Sequence, residues 1–593
     1  VGVAKDESSR AHDFRHEGET EEDDDSEAGK KSAASARHSK ILVARRRYNS
    51  SMSQAGPEKA RRDCAIVVGA FAFFCAWFTG FFPPFSNPND LSRFEMVVAF
   101  VETGSFAIDS QLATLGDHED KAVAGGRFYS NKAPGLAFAA IPVYRLLRLV
   151  LPPPDSPTAP ILALVRLFTV SLVCVLALAA FARRLLLRRE WESVAAVVTF
   201  AVAFGTPFLY YARSFFGHAW TASLLFLAWD ASSLRGSEGS ARGHRGVALA
   251  GFLAGWALIS EYTVAPVALA LAVRAAIAST ERRPVARLLL FGAGAALPVA
   301  LLLIYQAVCF GSPFLPSYAR EAYPAYAELA QRRFFGFELP SARLAFGYLF
   351  HPARGILLFS PFFLWAGVGF ARWCRDRRQR ADGVFALAAT VSTFLLLTGY
   401  PNWHGGWALG SRYLLPLLFF PAAALPWALR TPISRGLFVA GTAFSAATHL
   451  LETFSWPHFP ADVRWPPTAS AWFLARGWIA PNLGTVAGVG AVVSLVLPAA
   501  AVAMAFLVSM RTAKPLAPAA PVASLLGITP LVALCLFPPP PTYTARLWRS
   551  AVYGAYSGLD PGRVELSRVV DAAVTAAERR QALGTWRVYG PRP

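Results

Sequence analysis

Charge is scarce in this chain. Only 16% of its 593 residues are Asp, Glu, Lys or Arg, where a soluble globular domain carries roughly a quarter. That shortage excludes an ordinary water-facing surface over most of the length. Cysteine is sparse as well. The six present, at 64, 75, 174, 309, 374 and 535, lie mostly in or beside apolar runs and show no C-x-x-C spacing. The pattern indicates neither a disulfide frame nor a zinc site. No apolar run opens the chain; the first begins near residue 64, too late for a signal peptide. The charge that is present is biased, with 57 Lys and Arg against 38 Asp and Glu and a formal net charge of +19. These basic residues fall between apolar runs, so the positive-inside bias accounts for them and no nucleic-acid partner is implied.

Hydrocarbon is what the chain has in abundance: 54% of its residues are hydrophobic and the mean hydropathy is +0.38. Apolar runs close to the length of a membrane span recur throughout, which predicts an all-α polytopic membrane protein. The expected spans lie near 64–82, 160–182, 193–211, 218–234, 246–260, 262–278, 287–309, 355–372, 383–400, 412–429, 436–454, 485–509 and 518–537. They total about thirteen. Residues 1–62 are polar and of low complexity and are expected to form a disordered cytoplasmic tail. Residues 63–537 form the transmembrane domain, with 83–150 as its first extracytoplasmic loop, and 538–593 a small extracytoplasmic appendage. Arg61 and Arg62 before the first span place the N-terminus inside. Arg183, Arg184, Arg188 and Arg189 fall inside only if 135–150, a short amphipathic piece with Arg145 and Arg148, lies in the membrane plane as an interfacial helix.

The chemistry-bearing residues gather on the predicted outer side. Asp90, in the polar turn Ser86-Asn87-Pro88-Asn89-Asp90, reads either as a helix N-cap or as a general base held near apolar walls. Arg93 lies one helical turn on and can orient Asp90; a surface ion pair is its plainer role. Lys132, between Tyr129 and the turn at Pro134-Gly135, is either a solvated lysine or a clamp for a departing phosphate. Further polar groups come from distant segments: Arg213 and His218, Glu261 at a break in an apolar run, His351 and Arg354 before one span, and His404 with Arg412 before another. Ionisable residues at span ends are functional candidates, since burying them is costly. Trp403 and Trp407 read instead as interfacial anchors. The spacing of His218, His351 and His404 does not suggest a metal site, and the acidic run Asp117-His118-Glu119-Asp120 reads as a solvated turn, so no metal or other cofactor is indicated.

Four short segments in order carry a resemblance: Asp90-Leu91-Ser92-Arg93-Phe94, Val101-Glu102-Thr103-Gly104-Ser105-Phe106, Tyr129-Ser130-Asn131-Lys132-Ala133-Pro134-Gly135 and Ala163-Leu164-Val165-Arg166-Leu167. The stretch 85–170 resembles the bacterial GT-C glycosyltransferases, in the branch of protein O-mannosyltransferases and lipid A aminoarabinose transferases. That resemblance implies a GT-C-like fold in the bacterial inner membrane. It implies inverting transfer of a sugar from a polyprenyl-phosphate donor to an extracytoplasmic lipid, glycan or protein acceptor. Asp90 would be the base and Lys132 would bind the donor phosphate, and we expect Arg354 and Arg412 to assist it. Arg93, Tyr129, His218, Glu261 and His404 are the expected supporting residues. Two positions depart from the family pattern: Leu91 and Asn131 stand where an acidic residue is usual. The rival readings are a transporter or flippase of lipid-linked glycans, which calls for mid-membrane polar sites and internal repeats not seen here, and a non-catalytic assembly subunit.

Overall fold

The computed structural model describes residues 57–79, 88–233, 241–277, 283–333, 336–455, 457–460, 463–477, 479–512 and 520–541. The tail up to residue 56, the start of the first loop at 83–87 and most of the 538–593 appendage lie outside the described residues. The first helix, α1, runs over 57–77, so residues 57–62 belong to it and not to the tail.

The chain is mostly helical. Four described helices are long and apolar enough to cross a membrane: Pro160–Leu186, Pro284–Phe310, Arg380–Leu397 and Val493–Arg511. Helices also occupy the remaining predicted spans, but several are short. Leu364–Trp373 and Phe419–Ala428 have 10 residues each and Glu192–Phe204 has 13. At 1.5 Å per residue these cover about 15–20 Å, less than the roughly 30 Å hydrocarbon layer. The cause is visible in the sequence. Gly205-Thr206-Pro207 separates Glu192–Phe204 from Phe208–Tyr211, and Ser360-Pro361 separates Ile356–Phe359 from the helix that follows. Apolar length predicted the segments; proline and glycine cut the helices inside them. Helix length therefore does not by itself bear out the figure of about thirteen spans.

The first loop is more built than its sequence suggests. It contains α2 (Pro88–Thr103), α3 (Asp109–Leu115), the strands β1 (Lys121–Ala124) and β2 (Arg127–Ser130), and α4 (Gly135–Leu147). The strands form an antiparallel hairpin in which Lys121 faces Ser130 and Ala124 faces Arg127. Its two-residue turn is Gly125-Gly126, with φ of 56° and 75°, the left-handed pair that a tight hairpin needs and that glycine adopts without penalty. The free edge of β1 is capped from far away: Ala322 N–H donates to the Lys121 carbonyl at 2.8 Å, which ties the loop at 310–354 to the first loop.

The N-terminal part of α2, from Asn89 to Ala99, is buried all round, so this is not a helix lying half in water. It takes Asp90, Arg93 and Glu95 inside with it. Its far end is fastened to α4, where Tyr144 Oη donates to Glu102 at 2.8 Å and Arg148 Nε at 2.5 Å. The end of α4 and the residues after it leave Leu146, Leu149 and Val150 exposed, which suits the interfacial placement expected of 135–150. The start of α4 packs against the end of the helix Ala241–Ser260: Trp256 Nε1 donates to the Gly135 carbonyl at 2.8 Å. A methyl group at Gly135 would sit 2.8 Å from the Ser260 backbone nitrogen. Gly135→Ala is therefore expected to lower stability by about 1–3 kcal/mol, the usual penalty of overpacking, read as a lower melting temperature in detergent.

Candidate active site

Asp90 stands in the first turn of α2, two residues inside the helix, so it is not the N-cap. Its side chain is buried, and neither carboxylate oxygen accepts a hydrogen bond of good geometry among the described residues. The other two charged groups of the buried part of α2 are paired. Arg93 donates to the Asn89 carbonyl at 3.0 Å, to the Asn89 side chain and to Glu261 Oε1 at 3.2 Å. Glu95 holds His118 Nε2 at 2.7 Å. Arg93 thus serves Glu261, brought by the break after Ala241–Ser260, and does not pair with Asp90 as its spacing suggested.

Burial pushes the Asp90 carboxyl up to about 6, against the pull of the Arg166 guanidinium, the Phe215 backbone N–H, Arg93 and Arg412. A carboxylate that is ionised at neutral pH yet has a raised affinity for a proton is suited to general-base work. Around it, Phe94 stacks on Phe215 with centroids 4.1 Å apart. Arg166 and Arg213 donate to the carbonyls of Thr79 and Phe78 at 3.1 and 2.9 Å, at the C-terminal end of α1. Cations there also suit the negative end of the helix dipole.

Lys132 does not stand free. Its ammonium pairs with Asp120 Oδ1 at 2.9 Å. Burial would raise the Asp120 carboxyl, but Lys132 outweighs it and holds the group below its ordinary value. Asp120 is positioned from α2: Ser92 Oγ donates to the Asp120 carbonyl at 2.7 Å and lies 2.7 Å from Ser130 Oγ. The Asp117–Asp120 run is therefore not a solvated turn; His118 and Asp120 are buried, and Asp117 pairs with Lys121. Asn131 donates to Glu321 Oε2 at 2.7 Å, and burial pushes the Glu321 carboxyl up to about 7 against the pull of Lys132. Two carboxylates from outside the local segment, Asp120 just before β1 and Glu321 in the loop at 310–354, thus bond to the neighbouring residues Lys132 and Asn131. Tyr129 packs edge-on against Phe310.

Arg354 bonds backbone carbonyls. Its guanidinium donates to the carbonyls of Ala408, Gly406 (2.9 Å) and Phe459. Through its two terminal nitrogens it clamps two loops together. Arg412 is different. Its Nε is buried without a hydrogen-bond partner among the described residues, and its guanidinium lies over Phe216 and Tyr413. It acts electrostatically on Asp90, Asp120 and Glu261, so the Asp90 and Lys132 neighbourhoods meet at this residue. Burial raises the Glu261 carboxyl, against Arg93, Arg412 and Lys132. His218 Nδ1 is 3.9 Å from Glu261 Oε1. His404 accepts from Gly406 N–H at 3.1 Å, and burial, with Arg354 next in effect, lowers it to about 4, so it is neutral. Among the described residues no group of three or more His, Cys, Asp or Glu is placed to hold a metal.

Arg166, Asp120, Glu321 and the pair Tyr210–His458, hydrogen-bonded between Tyr210 Oη and His458 Nε2, were not singled out by the sequence as site residues. Arg166 alone carried a usable signal, an arginine inside an otherwise apolar span.

No family model matches the chain, and none of the curated proteins matches it. Among solved structures it is similar to a crystal structure of ArnT from Cupriavidus metallidurans in the apo state, at 15% identity, covering 84% of this chain and 80% of that one, with a TM-score of 0.43. A crystal structure of ArnT from Cupriavidus metallidurans bound to undecaprenyl phosphate gives 14% identity, the same coverage and a TM-score of 0.42. Overlap at that level carries no argument about the site.

Proposed function

We propose that this protein is an inverting membrane glycosyltransferase that moves a sugar from a polyprenyl-phosphate donor to an acceptor outside the cytoplasm. One observation supports this reading above the others: of the three charged groups that α2 buries, Asp90 alone has no hydrogen-bonded side-chain partner among the described residues. A buried carboxylate without a side-chain partner is costly to keep, and groups of that kind concentrate where they do chemistry.

In the proposed reaction Asp90 takes the proton of an acceptor hydroxyl or amine. The acceptor atom forms a bond to the anomeric carbon as the bond from that carbon to the phosphate oxygen breaks on the opposite face. The polyprenyl phosphate leaves with the electron pair, and Arg412 and Lys132 stabilise the charge that collects on it. Arg354 holds the loops that present Arg412. Asp120 and Glu261 hold Lys132 and Arg93 in place. The resemblance of 85–170 to GT-C enzymes points the same way.

The pH dependence follows with a definite sign. The base must be ionised, so kcat/KM should fall about tenfold per pH unit below about 6 and level off above it. A pH–rate profile of the purified protein in detergent checks this, and an apparent pKa near the free-carboxylate value of 3.8 would contradict it.

A further inference from the structure

His218 is buried to 3% exposure, and neither of its ring nitrogens has a hydrogen-bond partner among the described residues. A buried polar ring in that state is costly unless a partner arrives from outside the protein. What surrounds it is specific. Tyr413, Phe216 and Tyr211 pack on the imidazole with ring centroids 5.4, 6.1 and 6.2 Å away. Glu261 Oε1 lies 3.9 Å from Nδ1, too far for a hydrogen bond and near enough to share a ligand. Arg93 fixes that carboxylate at 3.2 Å. The approach of Glu261 depends on Gly217: a methyl there would sit 3.1 Å from the Glu261 Cγ and Cδ atoms. The Arg412 guanidinium lies over Phe216 and Tyr413, two of the same rings. An imidazole, a fixed carboxylate and aromatic faces therefore stand together beside the cation proposed for the phosphate.

We infer that His218 and Glu261 form the subsite that reads the sugar ring of the donor. A sugar presents hydroxyl groups that both donate and accept, and C–H faces that pack on aromatic rings. Glu261 accepts from one hydroxyl, a ring nitrogen of His218 bonds a neighbouring one, and Tyr413 with Phe216 forms the apolar wall. These residues are specificity determinants. The inference rests on the glycosyltransferase reading, and it deepens that reading by separating recognition of the sugar from recognition of the phosphate.

The test compares wild type, His218→Ala and His218→Gln on a panel of polyprenyl-phosphate sugars that differ at single hydroxyls. Binding of sugar-free polyprenyl phosphate is measured alongside. For the preferred donor, His218→Ala should lose roughly 10- to 100-fold in kcat/KM, the loss expected for one or two substrate hydrogen bonds. A donor lacking the hydroxyl that His218 reads should lose little, so the ranking of donors flattens. His218→Gln, which keeps a donor and an acceptor, should recover part of the preference. The affinity for sugar-free polyprenyl phosphate should be unchanged in both variants, which also shows that they fold. An unchanged donor ranking in an active His218→Ala overturns the subsite. A parallel loss of affinity for sugar-free polyprenyl phosphate also overturns it, because His218 would then serve the phosphate or the fold. Absence of transfer by the wild type with every donor defeats the glycosyltransferase reading itself, a different outcome from either.

Discussion

Asp90→Asn is expected to reduce sugar transfer by about 10²- to 10⁴-fold, the range over which a positioned general base contributes. The substitution keeps the shape of the side chain and removes only its charge and basicity. It should leave donor affinity within a few-fold of wild type, since Arg412 and Lys132 remain. The same variant carries a second signature that a merely structural aspartate would not produce in this combination. The Asp90 carboxyl is raised from 3.8 to about 6. The stability contributed by its protonated form is fully present below 3.8 and is lost as pH rises through about 6. By linkage that amounts to on the order of 3 kcal/mol. Asp90→Asn should therefore lose this part of the pH dependence of the melting temperature while losing activity at every pH. A variant that keeps wild-type turnover would exclude the base role, and one that unfolds at neutral pH would make Asp90 a packing residue.

Arg354→Ala should act in the opposite way, on stability first. Arg354 is buried and its guanidinium joins the carbonyls of Ala408, Gly406 and Phe459. Truncation removes the guanidinium bonds, leaves the Gly406 carbonyl without that donor while Ala408 and Phe459 keep each other's backbone N–H, and opens a cavity. An unsatisfied buried acceptor costs about 1–3 kcal/mol, so a loss of roughly 3 kcal/mol or more is expected. Arg354→Lys should not rescue it, because an ammonium cannot reproduce the planar fork that reaches several carbonyls. Melting curves in detergent and limited proteolysis at the loops near 401–411 and 457–460 read the effect. Full stability with a selective loss of donor affinity would return Arg354 to the phosphate-binding role that its place before a span suggested.

How much could be read from the sequence follows from the range of the interactions involved. Asp90 and Lys132 stood out as candidates because each sits in a short local pattern after an apolar run, and Glu261 because a carboxylate interrupts such a run. Asp120 was misread as solvent-facing. Its burial depends on Gly125-Gly126 folding the hairpin back and on Ser92 meeting the Asp120 carbonyl from 28 positions away. Glu321 was invisible for the same reason, since it reaches Asn131 across 190 positions. The clamp made by Arg354 was not legible because backbone carbonyls have no sequence signature: every residue carries one, and only the fold decides which of them converge. Arg93 was given the wrong partner because helical spacing states which residues share a face, not whether a third chain segment offers a better carboxylate. The helical class was plain in the hydropathy. The lengths of individual helices were not, since breaks such as Gly205-Thr206-Pro207 barely lower the apolar average of a window.

The most direct measurement of the central claim is incubation of the purified protein with a panel of polyprenyl-phosphate sugars and an envelope extract as acceptor, following release of free polyprenyl phosphate. Release is expected with at least one donor, dependent on acceptor and lowered about 10²- to 10⁴-fold by Asp90→Asn. No release with any donor, or release that Asp90→Asn leaves intact, would contradict it.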